Sequence, residues 1–151
     1  MLNTGDTAPD FALPDQHEQS VRLSQLLSKG AVVVYFYPAD FTPVCTREAC
    51  VFRDRYQELA ALDTQVVGIS PQDARSHKRF AEAFSLPFPL LSDTRKQVIR
   101  AYGVDGPLGF GVRRATYLIE PSGVIANRVV SDLFLGSHLE LIKQVLASGP
   151  A

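Results

Sequence analysis

The chain lacks most of what marks a secreted scaffold, a membrane protein or a polyanion binder. It holds two cysteines in 151 residues, too few for a disulfide framework. No apolar run approaches the ~18 residues needed to span a bilayer. The start, Met1-Leu2-Asn3-Thr4-Gly5-Asp6, has neither a basic nor an apolar leader region. The expectation is a soluble, cytoplasmic protein without a membrane partner. An excess of one charge is missing too: 15 Lys and Arg stand against 16 Asp and Glu, with no block of like sign, so no nucleic-acid partner is expected. Metal ligands are sparse. Cys45-x4-Cys50 supplies two soft ligands, and His17, His77 and His138 are scattered, so neither a metal nor a cofactor is expected. Repeats, low-complexity stretches and internal linkers are absent, which predicts one domain over 1–151.

What is present alternates. Ala31 to Tyr37 is a continuous apolar, β-branched and aromatic run, as in a strand buried on both faces. Pro38-Ala39-Asp40-Phe41 breaks it, and Thr42-Pro43 reads as a helix cap followed by proline at the first helical position. The helix is predicted from Pro43 to about Leu62, with Val44, Ala49, Phe52, Tyr56, Leu59 and Ala60 near helical spacing and Arg47, Glu48, Arg53, Asp54, Arg55 and Glu58 on a polar side. A second buried strand follows over Thr64–Ser70, then a helix from Asp73 to about Phe84. Strand-helix alternation of this kind predicts an α/β fold with parallel strands covered by helices.

Downstream, Pro87-Phe88-Pro89-Leu90-Leu91 allows at most a short strand. A helix is expected from Ser92 and Asp93 to about Tyr102, stopped by Gly103. Asp105 to Gly111 reads as a flexible loop. Arg114–Glu120 and Val124–Val130 flank Pro121-Ser122-Gly123 as an antiparallel hairpin, so the sheet is mixed. A last helix from Ser137 to Ala147 carries Leu139, Leu141, Ile142, Val145 and Leu146 as apolar positions.

Chemistry concentrates at Thr42-Pro43-Val44-Cys45. With Thr42 as the cap, Cys45 is the third helical residue, where unpaired N–H groups and the positive end of the helix dipole favour an anion. A free thiol titrates near about 8.5 and is only a few per cent ionised at neutral pH, so this placement separates a nucleophile from a small hydrophobe. Cys50 lies five positions on. An intact helix sets the two α-carbons roughly 8.6 Å apart, beyond the ~7 Å reach of a disulfide. Either they never bridge, or the start of the helix unwinds. Glu48 lies on a face near Cys45, where it either orients an arginine or is solvated. His77 and His138 are expected on helices and His17 in a loop, as surface or packing residues without catalytic roles.

Pro38-x3-Thr42-x2-Cys45 resembles the active-site signature of the peroxiredoxins, and Cys45-x4-Cys50 is similar to their bacterioferritin-comigratory-protein or Q-type subgroup. The likeness extends over Gly5-Asp6-Thr7-Ala8-Pro9-Asp10-Phe11, over Asp73, His77 and Phe80, and over Arg114-Ala115-Thr116-Tyr117-Leu118-Ile119. The resemblance implies a thioredoxin-like fold and a thiol peroxidase acting on hydrogen peroxide and organic hydroperoxides. Carried over by position, Cys45 is the attacking thiolate that becomes a sulfenic acid. Cys50 resolves it as an intramolecular disulfide, and thioredoxin or a similar dithiol reduces the bridge. Pro38 shields the thiolate from water. Thr42 bonds the peroxide or the sulfur, its hydroxyl facing the peroxide with the Cys45 N–H rather than capping the helix.

The resemblance likewise implies that Arg114 stabilises the thiolate and the developing oxygen charge. Arg113 is adjacent, but neighbouring strand residues point to opposite faces, and motif position selects Arg114. The subgroup likeness implies a monomer or weak dimer. A competing reading, a redox sensor or holdase, uses the same oxidation to expose Val44 or Phe52 and switch partners.

Overall fold

The computed structural model describes residues 1–109, 111–130 and 136–148. Strands β1 (Ala12–Pro14) and β2 (Ser20–Arg22) form a short antiparallel pair and lead into α1 (Leu23–Leu27). Then come β3 (Ala31–Phe36), α2 (Pro43–Ala61), β4 (Thr64–Ser70), α3 (Ala74–Phe84), β5 (Leu90–Ser92) and α4 (Gln97–Ala101). Strands β6 (Ala115–Ile119) and β7 (Ile125–Val130) precede α5 (Gly136–Ser148). The main sheet has the order β5-β4-β3-β6-β7. β3, β4 and β5 are parallel, and β6 and β7 are antiparallel additions. The predicted α/β class with a mixed sheet is the observed one.

Strand periodicity divides the core. On β3, Val32, Val34 and Phe36 face a cluster completed by Leu23, Ile99, Tyr102, Tyr117 and Ile125. Val33, Tyr35 and Tyr37 face the other, with Cys45, Ala49, Phe52, Phe80, Leu141 and Ile142. Both faces of β3 are buried, which is why its sequence does not alternate in polarity.

Two expected boundaries move. The helix expected from Ser92 and Asp93 is only α4, because Lys96 adopts a left-handed φ of 58°, and the Asp93 carboxylate takes the N–H groups of Gln97 and Ile99 at 3.0 and 2.7 Å. The Asp105–Gly111 stretch contains a short 3-10 turn at Pro107–Gly109. Phe110 lies outside the described residues, as does the Leu139 side chain. Leu141, Ile142 and Val145 are buried as expected.

Glycine is required at one point that bears on the site. A Cβ at Gly68 on β4 would lie 2.7 Å from Tyr35 Cζ, and the Tyr35 ring is stacked on Phe52 of α2 with centroids 4.6 Å apart. The bare backbone of β4 thus lets an aromatic layer seat α2 against the sheet. Gly68→Ala is expected to overpack this layer and cost about 1–3 kcal/mol in urea unfolding; an unchanged midpoint would remove Tyr35 as the seat of α2.

Candidate active site

Register brings the site together. β3 and β6 are neighbours with Phe36 opposite Ala115, so the residue before β6, Arg114, lies beside the point where the chain leaves β3. The departing segment, 38–42, carries the strain of Phe41 at a left-handed φ of 65°. Phe41 is 52% exposed and rests edge-on against Phe80, at 5.1 Å between centroids.

Thr42 has extended backbone at the head of α2, but its hydroxyl does not cap the helix. It donates to the Ala39 carbonyl at 3.0 Å, while the Thr42 carbonyl accepts the first helical bond from Thr46 N–H at 2.8 Å. The Thr42 side chain is therefore not spent as a cap, and in this state its hydroxyl is held by Ala39. Pro38 is half-buried at the exit of β3.

Cys45, the third residue of α2, is 1% exposed. Arg114 Nη2 donates to its sulfur at 3.2 Å and Nη1 donates to Glu48 Oε1 at 2.9 Å. One guanidinium therefore spans the thiol and a carboxyl three residues further along the same helix. Burial opposes the Arg114 charge, but Glu48 and Cys45 outweigh it and hold the group above the ordinary arginine range. Burial pushes Glu48 up to about 7, against the pull of Arg114. The neighbouring Arg113 is half-buried, its backbone N–H donating to the Val104 carbonyl.

Cys50 is half-buried, and both cysteines are free thiols. They share α2, which is continuous from Pro43 to Ala61; helical rise and radius place their α-carbons roughly 8.6 Å apart, too far for a bridge in this state.

Three side chains whose exposure the sequence left open are buried. Glu48, grouped with the polar side of α2, is 2% exposed and packs inward. Its three-residue offset from Cys45 was the available signal, and the Arg114 charge is what makes its burial tolerable. His77 and His138, expected on the surface or in packing, are both buried in polar networks. His77 Nδ1 meets Asp40 Oδ2 at 2.7 Å and its Nε2 meets the Leu91 carbonyl at 3.1 Å. Asp40 also accepts from the Tyr37 hydroxyl at 2.6 Å and the Ser76 hydroxyl at 2.8 Å, and its N–H donates to Gln72 Oε1. The segment before α2 is thereby tied to α3. Nothing local in the sequence signals this, because Asp40 and His77 are 37 positions apart. Among the described residues no cluster of His, Cys, Asp and Glu is arranged for a metal, and no helix is long and apolar enough to cross a membrane.

An arginine-held thiol at the start of a helix, on a mixed sheet of this order, defines a thiol-redox protein of the α/β class. The AhpC/TSA family model matches residues 4–128. The chain is 47% identical over 150 residues to the chloroplastic peroxiredoxin Q of Sedum lineare, covering 95% of this chain and 80% of that one. The crystal structure of peroxidoxin BcpB from Mycobacterium tuberculosis superposes with a TM-score of 0.91 at 40% identity over 98% of each chain. The Xanthomonas campestris bacterioferritin comigratory protein, solved in trapped intermediate and ligand complexes bearing on its alkyl peroxide reduction, gives 0.82 at 25% identity, over 91% of this chain and 90% of that one. The chain belongs to the AhpC/TSA family as a peroxiredoxin of the Q or BCP type, a thiol peroxidase with a thioredoxin-like fold.

The carboxyl of Glu48 gives a pH signature. Its folded value of about 7 exceeds its ordinary 4.5, so between these values the folded chain binds a proton that the unfolded chain releases. The associated stability is complete below about 4.5 and is lost as pH rises through about 7. Glu48→Gln is expected to remove this pH-dependent loss, worth about 3 kcal/mol, when unfolding is followed across that range. Parallel pH profiles for variant and wild type would contradict the buried-carboxyl account.

Proposed function

We propose that Cys45 is the attacking thiol of a two-cysteine peroxidase working within one chain. The observation that carries the reading is the Arg114 contact to the Cys45 sulfur at 3.2 Å, on a cysteine at the third position of a helix. A buried guanidinium and the positive end of the helix thus meet at the same sulfur.

The thiolate attacks one peroxide oxygen, the O–O bond breaks, and the sulfur leaves as sulfenic acid while the departing alkoxide or hydroxide takes a proton from water. Arg114 stabilises the charge that grows on the leaving oxygen. The Thr42 hydroxyl exchanges its bond to Ala39 for one to the peroxide, and Pro38 limits water at the sulfur. Cys50 then condenses with the sulfenic acid, expelling water and forming an intramolecular disulfide. A dithiol of the thioredoxin kind reduces that bridge by exchange. Both hydrogen peroxide and organic hydroperoxides serve as substrates; the alkyl peroxide reduction associated with the Xanthomonas campestris relative supports the second class. The chain acts as one cytoplasmic domain, a monomer or weak dimer.

Bridging requires the first turns of α2 to open, which exposes Phe52 and Val44. A sensor or holdase would exploit that exposure, and sustained turnover separates it from a peroxidase.

In a coupled assay with thioredoxin and its reductase, Cys45→Ser is expected to abolish peroxide consumption, and Arg114→Met to lower kcat/KM by about a hundredfold or more. Cys50→Ser should permit one oxidation but stop thioredoxin-linked turnover. Wild-type turnover in Cys45→Ser would end the assignment of the nucleophile. Undiminished turnover in Cys50→Ser would reduce the scheme to a single cysteine with an external thiol.

A further inference from the structure

His138 sits in the first turn of α5, 1% exposed, and the chemistry above makes no use of it. Helix α5 packs on α2 and β7 and brings this imidazole to the carboxyl that holds Arg114. Its Nδ1 lies 2.7 Å from the Thr116 hydroxyl on β6 and 3.7 Å from Glu48 Oε2. The other oxygen of that carboxyl, Oε1, accepts from Arg114, whose remaining amino group reaches the Cys45 sulfur.

Oε2 is buried and accepts no hydrogen bond among the described residues. With Glu48 ionised, a bare acceptor nitrogen turned toward Oε2 would set two lone pairs against each other. A protonated Nδ1 instead donates to Thr116 and presents its positive edge to Oε2, offsetting the cost of a buried carboxylate without a donor. Charge balance points the same way. In the reactive state two anions, the Cys45 thiolate and the Glu48 carboxylate, compete for one guanidinium. A positive ring edge facing Oε2 answers the charge on that oxygen, so Glu48 needs only Nη1 of the guanidinium and Nη2 stays on the sulfur.

We propose that His138 is a positioning residue for Cys45: with its Nδ1–H given to Thr116, the edge of its ring faces Glu48 Oε2 across 3.7 Å and steadies that carboxyl, so that Oε1 keeps Arg114 in the orientation that reaches the sulfur. The proposal rests on the reading of Cys45 as the attacking thiolate. It makes the docking of α5 a condition for a reactive thiol.

The test uses the full chain in a Cys50→Ser background, with one equivalent of hydrogen peroxide and the rate of Cys45 oxidation followed by mass spectrometry. His138→Leu is expected to slow oxidation about tenfold or more. His138→Asn, which keeps an amide N–H close to the place of Nδ1, should recover most of that loss. Nitrogen NMR of the imidazole in the reduced chain at neutral pH should find Nδ1 protonated. Wild-type rates in His138→Leu, equal losses in the leucine and asparagine variants, or an unprotonated Nδ1 would each overturn the proposal. The NMR result decides even if the leucine variant does not fold. A wild-type chain that peroxide does not oxidise at Cys45 overturns the peroxidase reading, whereas a chain that is oxidised equally well with leucine at 138 overturns only the role of His138.

Discussion

The contact between the Arg114 guanidinium and the Cys45 sulfur is the constraint around which the rest of the structure is arranged. It joins a strand start to a helix start that are 69 residues apart in the chain, and it survives burial because every partner carries compensating charge or donors. Removing arginine would leave the buried Glu48 carboxyl and the buried Cys45 sulfur without their donor, a larger penalty than any single surface ion pair imposes. The strand order places β6 against β3, and the aromatic layer of Tyr35, Phe52 and Phe88 seats α2 so that Cys45 faces Arg114.

The same contact sets a conflict that a two-cysteine cycle must resolve. Glu48 lies between Cys45 and Cys50 on α2, so any opening that lets the cysteines meet also pulls Glu48 from Arg114. In the proposed cycle the resting site is therefore locked by the same contacts that hold Arg114 on the Cys45 sulfur. Upstream, Asp40 and His77 secure segment 38–42 to α3, while the left-handed Phe41 sits exposed between them and the helix. Opening is most easily accommodated in the first turns of α2, where few internal bonds must break and the anchors on either side can stay in place.

Much of this was legible in residue order. Pro43 at the helix start, the unbroken apolar run of β3 and the turn at Pro121-Ser122-Gly123 each identify their element through local chemistry, and those elements are found with nearly the expected bounds. The β1 and β2 pair escaped because three residues are too few to display periodicity. The early end of the predicted helix before Gln97 depends on the left-handed Lys96, a conformation its side chain does not signal. At the site, the position of Cys45 followed from helix geometry and the choice of Arg114 over Arg113 from motif position. For Glu48 the sequence left an arginine contact and solvation both open, and for His77 and His138 surface and packing; the choice is made by the partners Arg114, Asp40 and Thr116, which tertiary packing assembles, and a charged or imidazole side chain in sequence resembles a solvated one.

The central claim is that the helix which activates Cys45 must open for Cys50 to complete the cycle. Hydrogen exchange of the amides in residues 46–50, compared between the reduced chain and the chain oxidised by one equivalent of peroxide, tests it most directly. The account predicts protected amides in the reduced form and their loss of protection on oxidation, together with a Cys45-Cys50 disulfide. A disulfide formed with that protection retained, or oxidation that leaves both the helix and Cys50 unchanged, would contradict it.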